Sequence, residues 1–85
     1  FKHSTRCSIS ATALDRFERK WDETKANGLQ PYYLDLIRFR DISNKIASDF
    51  GVYHESPQII VIKEGKSIYD ESHYGISFDE VISHL

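Results

Sequence analysis

The apolar positions along the chain change period. From Ile9 they recur four apart at Ala13, Phe17 and Trp21, with Leu14 beside them, which is one stripe of a helix. This stripe predicts a helix over residues 9–26, with Asn27-Gly28 as its left-handed stop and Pro31 closing the turn. Tyr32 to Phe39 carry Tyr, Leu or Ile at nearly every position, broken only by Asp35 and Arg38. That density predicts a strand over 32–39 with both faces covered. A second helical stripe, Ile42, Ile46, Ala47 and Phe50, predicts a helix over 41–50. Asp41 is its expected cap, and Gly51 its end, with Val52 folding back as in a Schellman stop. After Pro57, the run Ile59-Ile60-Val61-Ile62 predicts a central buried strand over 58–63. Glu64-Gly65-Lys66 then turns the chain into a weaker edge strand over 67–71. The clearest start signal is the last. Ser77 and Glu80 form a capping box flanked by Ile76 and Val81 at the staple positions. The predicted helix over 77–85 buries Phe78, Val81, Ile82 and Leu85.

Helix, strand, helix, strand, strand, helix is therefore the order, with Phe1-Lys2 as the tail of a further strand. A βαβ crossover followed by a hairpin and a closing helix gives an α/β mixed sheet flanked by helices on both faces. This is the element order of the thioredoxin and glutaredoxin core, although pattern alone leaves a ferredoxin-like α+β arrangement open. At 85 residues the chain is one domain, residues 1–85. It begins at Phe1 without an initiator Met, so an upstream segment carrying most of the first strand is expected. Eleven Lys and Arg against 13 Asp and Glu give a net charge of −2 and leave no cationic face for nucleic acid. The longest apolar run, Ile59 to Ile62, is far short of the ~20 residues that span a bilayer. No signal-peptide pattern precedes the domain, and a cytoplasmic, monomeric protein is expected.

One cysteine excludes an intramolecular disulfide and an all-cysteine metal site. Cys7 lies between the end of the entering strand and the first helix. Unpaired N–H groups and the helix dipole there favour a thiolate over a thiol, and Lys2, His3 and Arg6 add positive potential from nearby in sequence. Cys7-Ser8-Ile9-Ser10 keeps the spacing of a Cys-x-x-Cys redox motif with a hydroxyl in place of the second thiol. A mixed disulfide on Cys7 must then be resolved by an outside thiol, which is monothiol chemistry. Against this stands the plainer role of a lone cysteine as a small buried hydrophobe. Ser10 can equally be an ordinary first-turn hydroxyl. Ser56-Pro57, placed directly before the buried strand, is where a cis bond would turn backbone groups toward Cys7. His3, His54, His73 and His84 show no ligand spacing, so no metal is expected. No Gly-x-Ser-x-Gly string is present.

Several segments together resemble a known family. Lys2-His3-Ser4 leading to Cys7 and Ile9-Ser10-Ala11, then Tyr32-Tyr33-Leu34, Arg40 with Ser43, Ile46-Ala47, and finally His54-Glu55-Ser56-Pro57-Gln58 are similar to the YtxJ family of bacillithiol-system redox proteins, the monothiol bacilliredoxins. The resemblance covers essentially the whole chain. It implies a thioredoxin-like (glutaredoxin-type) fold, Cys7 as the redox thiol assisted by Ser10, and Pro57 as a cis-proline beside it. Arg6, Ser8, Ser56 and Pro57 would contact substrate. The implied activity is removal of bacillithiol from protein mixed disulfides in a stress response, with no cofactor beyond a low-molecular-weight thiol as co-substrate. Ser8 stands where the family carries proline, which frees one more N–H at the helix start. Two other classes compete: an iron–sulfur cluster carrier of the monothiol glutaredoxin type, expected to read Cys-Gly-Phe-Ser, and a catalytically idle interaction domain.

Overall fold

The computed structural model describes residues 1–85. Its elements are β1 (Lys2–His3), α1 (Ser8–Lys20), β2 (Leu34–Asp35), α2 (Arg40–Phe50), β3 (Gln58–Lys63), β4 (Lys66–Ser72) and α3 (Phe78–Ser83), with a single 3₁₀ turn at His73–Gly75. The sheet order is β2-β1-β3-β4, with β1 parallel to β2 and antiparallel to β3, and β3 antiparallel to β4. The predicted mixed sheet is therefore present, with Gln58–Lys63 inside it and β4 at an edge. Helices cover both faces, as the alternation of β1 shows. His3 reaches Ser10 on α1, while Lys2 reaches the Ser43 carbonyl on α2.

One core fills the α1 and α3 side. Ala13 and Phe17 meet Ile59 and Val61 of β3 and Phe78 and Val81 of α3. The Phe17 and Phe78 rings meet edge to face at 5.7 Å, and Trp21 closes on Phe78 at 5.2 Å. The start of α3 follows the expected signal. Ser77 Oγ accepts the Glu80 N–H at 3.4 Å, and the staple residues Ile76 and Val81 are both buried. The end of α2 does too: Gly51 is left-handed at φ 65°, and the Val52 N–H returns to the Ala47 carbonyl. In the hairpin, Lys63 faces Lys66 across Glu64 and Gly65, whose φ values of 54° and 76° are those of a type I′ turn. Ile68 is the extra residue of a bulge in β4, between Ser67 and Tyr69.

Four expectations are corrected. The first helix stops at Lys20 and not near residue 26. The Asp22 carboxylate accepts from the Thr24 and Lys25 N–H groups and the Thr24 hydroxyl, and this local turn outcompetes helix. The strand expected over 32–39 shrinks to Leu34–Asp35. Asp35 Oδ1 accepts from the Ile37 and Arg38 N–H groups, so the chain turns directly, and Tyr32 and Tyr33 remain exposed. Asp41 is not the α2 cap; Phe39 holds that position without a side-chain bond, and the buried α2 residue is Ser43 while Ile42 is exposed. Finally, Ile62 and Leu85 are exposed: strand alternation turns Ile62 to the face away from Ile59 and Val61, and Leu85 lies past the end of α3.

Candidate active site

Two parallel strands feed two helices, so α1 and α2 both begin at one end of the sheet. Antiparallel β3 starts at that same end, with Gln58 opposite Lys2. Cys7, Arg40 and Pro57 therefore all lie at that one end of the sheet, the carboxyl end of its parallel strands, which is where open α/β sheets take ligands.

Cys7 is the N-cap residue of α1, in extended conformation at φ −116° and ψ 122°. It is half-buried and unpaired with any other cysteine. A tight turn from Ser4 presents it: the Cys7 N–H donates to the Ser4 carbonyl at 3.2 Å, and the Cys7 carbonyl accepts the Ala11 N–H at 3.1 Å. No side chain caps the helix, and its first turn holds no acidic residue. The helix-start N–H groups thus have no side-chain acceptor. Arg6 and Ser8 flank Cys7 and are both exposed.

Ser10 is held from the side of β1. Its hydroxyl is fully buried, accepts the Ser4 N–H at 2.9 Å and shares a 2.7 Å hydrogen bond with His3 Nδ1. His3 and Ser4 are its hydrogen-bond partners, and no bond joins it to the Cys7 sulfur. It ties the end of β1 to the first turn of α1 and clamps the Ser4–Cys7 turn.

On the other face lies a polar cluster that the sequence reading passed over. Lys2 was expected to add potential at Cys7; strand alternation instead sends its side chain toward α2, where it is 2% exposed. Lys2 Nζ donates to the Ser43 carbonyl at 3.1 Å and lies 3.4 Å from His54 Nδ1. Ser43 Oγ is 3.2 Å from the same nitrogen, and Arg40 Nη1 lies 3.4 Å from His54 Nε2. Burial pushes the Lys2 pKa down from its ordinary value. His54 is also pushed down, first by burial and then by the Lys2 and Arg40 cations, against a smaller opposing pull from Glu55. The only legible signal was a lysine and a histidine adjacent in a strand, one of which had to face each helix layer.

An ammonium buried without a carboxylate costs free energy. Lys2→Met keeps the volume, and Ser43 Oγ remains to serve His54 Nδ1. We expect this variant to be more stable by about 1–2 kcal/mol at neutral pH. The sign follows from linkage. A lysine with a depressed folded pKa opposes folding while it is charged in both states, and this opposition fades as pH rises from the depressed folded value to the unfolded one. The gain in melting temperature must therefore shrink as pH approaches about 10 and vanish above it; an unchanged or lowered melting temperature at neutral pH refutes it.

The Ser56–Pro57 peptide is cis. Pro57 is buried, and its carbonyl accepts the His73 N–H at 3.0 Å, fixing the segment to the end of β4. Ser56 Oγ is buried without a partner. No three His, Cys, Asp or Glu side chains converge in a metal-binding arrangement. No helix is long and apolar enough to cross a membrane.

A mixed four-stranded sheet, a lone cysteine capping the helix after its central parallel strand, and a cis-proline across from that strand define a redox protein of the thioredoxin fold. The comparisons agree. The chain superposes on a solved structure, assigned as an oxidoreductase with a thioredoxin fold, with a TM-score of 0.82 and 34% sequence identity, over 98% of this chain and 71% of that one. Residues 1–81 match the family of the monothiol bacilliredoxin BrxC. The chain belongs to the monothiol bacilliredoxin family.

Proposed function

We propose that the protein removes a low-molecular-weight thiol of the bacillithiol kind from protein mixed disulfides. The Cys7 thiolate attacks the small-thiol sulfur of the mixed disulfide. A new S–S bond forms between Cys7 and the small thiol, the old S–S bond breaks, and the protein substrate leaves as a thiolate that takes a proton from solvent. A second small-thiol thiolate then attacks the adduct. It departs as the symmetrical disulfide, and Cys7 is released as a thiolate. The second small thiol supplies the electrons, and no resident cofactor enters either step.

The observation that carries this reading is the single thiol at the α1 N-cap, with a clamped hydroxyl, Ser10, at the position of a second thiol. An internal disulfide is unavailable, so an outside thiol has to finish the cycle. Exposed Arg6 and Ser8 lie beside the sulfur and meet the incoming thiol. The Ser56-Pro57 segment, at the same end of the sheet, offers its backbone to the extended substrate chain.

Mass spectrometry tests this. Incubation with the symmetrical disulfide of bacillithiol, or of another small thiol, is expected to add one small-thiol mass at Cys7. Excess free thiol is expected to restore the original mass. A chain that gains no mass from any small disulfide is not an exchange enzyme.

A further inference from the structure

Residues 52–57 carry the chain from α2 to β3 and are held mostly through their two ends. The Val52 N–H returns to the Ala47 carbonyl, Gln58 Nε2 donates to the Tyr53 carbonyl at 2.8 Å, and the Pro57 carbonyl accepts the His73 N–H at 3.0 Å. Between those ends the Tyr53 side chain is exposed, exposed Glu55 faces His73 at 3.6 Å, and Ser56 Oγ has no partner. His54 is the side chain that hydrogen-bonds inward from the middle of the segment. Ser43 Oγ lies 3.2 Å and Lys2 Nζ 3.4 Å from its Nδ1, and Arg40 Nη1 lies 3.4 Å from its Nε2.

These contacts belong to a neutral ring. Ser43 Oγ accepts a proton on Nδ1, which leaves the Nε2 lone pair to accept from Arg40. In the opposite tautomer Nδ1 is the acceptor, toward Lys2. Either way one ring nitrogen accepts from a cation, and a second ring proton removes that acceptor. The charged groups that face the ring are Lys2 from β1 and Arg40 from α2. On its own segment Glu55 is turned to His73, in the turn after β4; in α2 Asp41 is exposed and Asp49 pairs with Lys45. No carboxylate lies within ion-pair distance of the imidazole to balance a positive charge.

We propose that neutral His54 is a positioning residue for the exchange reaction, latching the Ser56-Pro57 backbone where the extended protein substrate docks, and that acid opens the latch. Protonated His54 loses its acceptor contact and becomes a third positive charge beside Lys2 and Arg40, so the middle of the segment loses its inward tie. The sign follows from linkage. An open segment takes up the proton at the ordinary imidazole pKa of about 6.5, whereas burial and the two cations hold the latched ring lower. The latch is therefore fully closed above about pH 6.5 and weakens as pH falls toward the value of the latched ring. This role rests on the proposed function for its substrate, and on the contacts of the His54 ring for its place.

Two measurements decide it. In the first, the His54 ring is titrated by NMR in the reduced protein. It is expected to titrate below the ordinary imidazole value and to move up in Lys2→Met, which removes one of the two cations. A ring that titrates at or above the ordinary value, or that Lys2→Met leaves unmoved, overturns the latch.

In the second, the rate of Cys7 adduct formation is compared for two disulfides: an uncharged, end-blocked cysteine peptide carrying mercaptoethanol, and the small hydroxyethyl disulfide. Both give the same adduct from the same thiolate, so the rate ratio cancels the ionisation of Cys7 and reads the docking of the peptide chain. The ratio is expected to fall about fivefold from about pH 7.5 to about pH 5, the scale of one hydrogen bond. It is expected to stay flat in His54→Gln, whose amide keeps a donor and an acceptor and takes no proton. In Lys2→Met the fall is expected at higher pH, together with the ring. A flat ratio in the unaltered protein, an equal fall in His54→Gln, or a fall that Lys2→Met does not move overturns the role. Should neither disulfide react at any pH, the exchange activity fails as a reading and the positioning role falls with it. The ring titration then shows separately whether His54 is held neutral.

Discussion

A Cys7→Ser chain is expected to lose all acceleration of small-thiol release from a protein mixed disulfide, leaving the rate of the uncatalysed exchange. The chain has one sulfur nucleophile, and both bonds exchanged in the proposed cycle are made to it. A serine hydroxyl is not ionised at neutral pH and does not attack a disulfide. The loss will not come from unfolding. Cys7 occupies the N-cap of α1 and makes no side-chain capping bond there. Serine is a preferred N-cap residue whose oxygen can accept an N–H of the first turn, so stability is expected to hold or to rise by up to about 1 kcal/mol. The check pairs a release assay with a melting curve on the same preparation. Acceleration that survives in Cys7→Ser would move the chemistry off Cys7 and undo the proposed function.

Much of the frame was legible because local rules and tertiary packing agreed. Ser77 with Glu80, Gly51 with Val52, and Glu64-Gly65 each carry a signal satisfied by their own backbone neighbours, and each is found as expected. Ile59 and Val61 were legible as core from hydrophobicity alone. Reading failed where short polar side chains competed with an apolar pattern. Asp22 and Asp35 each capture nearby N–H groups, and these turns cut the first helix short and reduce an eight-residue apolar segment to a two-residue strand. Tyr32 and Tyr33 looked like core because aromatic residues favour strands, yet they line an exposed approach to β2.

The site was legible to the same degree. A lone cysteine at a strand-to-helix junction and a proline before the central strand are local features, and the fold places both at one end of the sheet. The buried cluster of Lys2, Ser43 and His54 joins residues 41 and 52 positions apart. No helical or strand period connects such positions. Only the alternation of β1, known once its neighbours are known, shows that Lys2 and His3 must serve opposite faces.

Ser10→Ala separates two roles that the Cys-x-x-Ser spacing cannot distinguish. If the hydroxyl served the sulfur, its removal would slow exchange and leave stability alone. The structure places it in a fully buried bridge between His3 Nδ1 and the Ser4 N–H. Alanine strands both partners at once, and an unsatisfied buried polar group costs about 1–3 kcal/mol. A loss of about 2–3 kcal/mol is expected, which in a domain of this size lowers the melting temperature by roughly 10–20 °C. Exchange, measured well below the transition so that the chain is folded, is expected to fall less steeply. The Ser4–Cys7 turn keeps its own backbone bond at 3.2 Å and still delivers the thiol to the start of α1. Denaturant titration and adduct kinetics on the same variant decide the matter. A melting temperature that does not move, together with a collapsed exchange rate, would return Ser10 to the sulfur and remove the clamp.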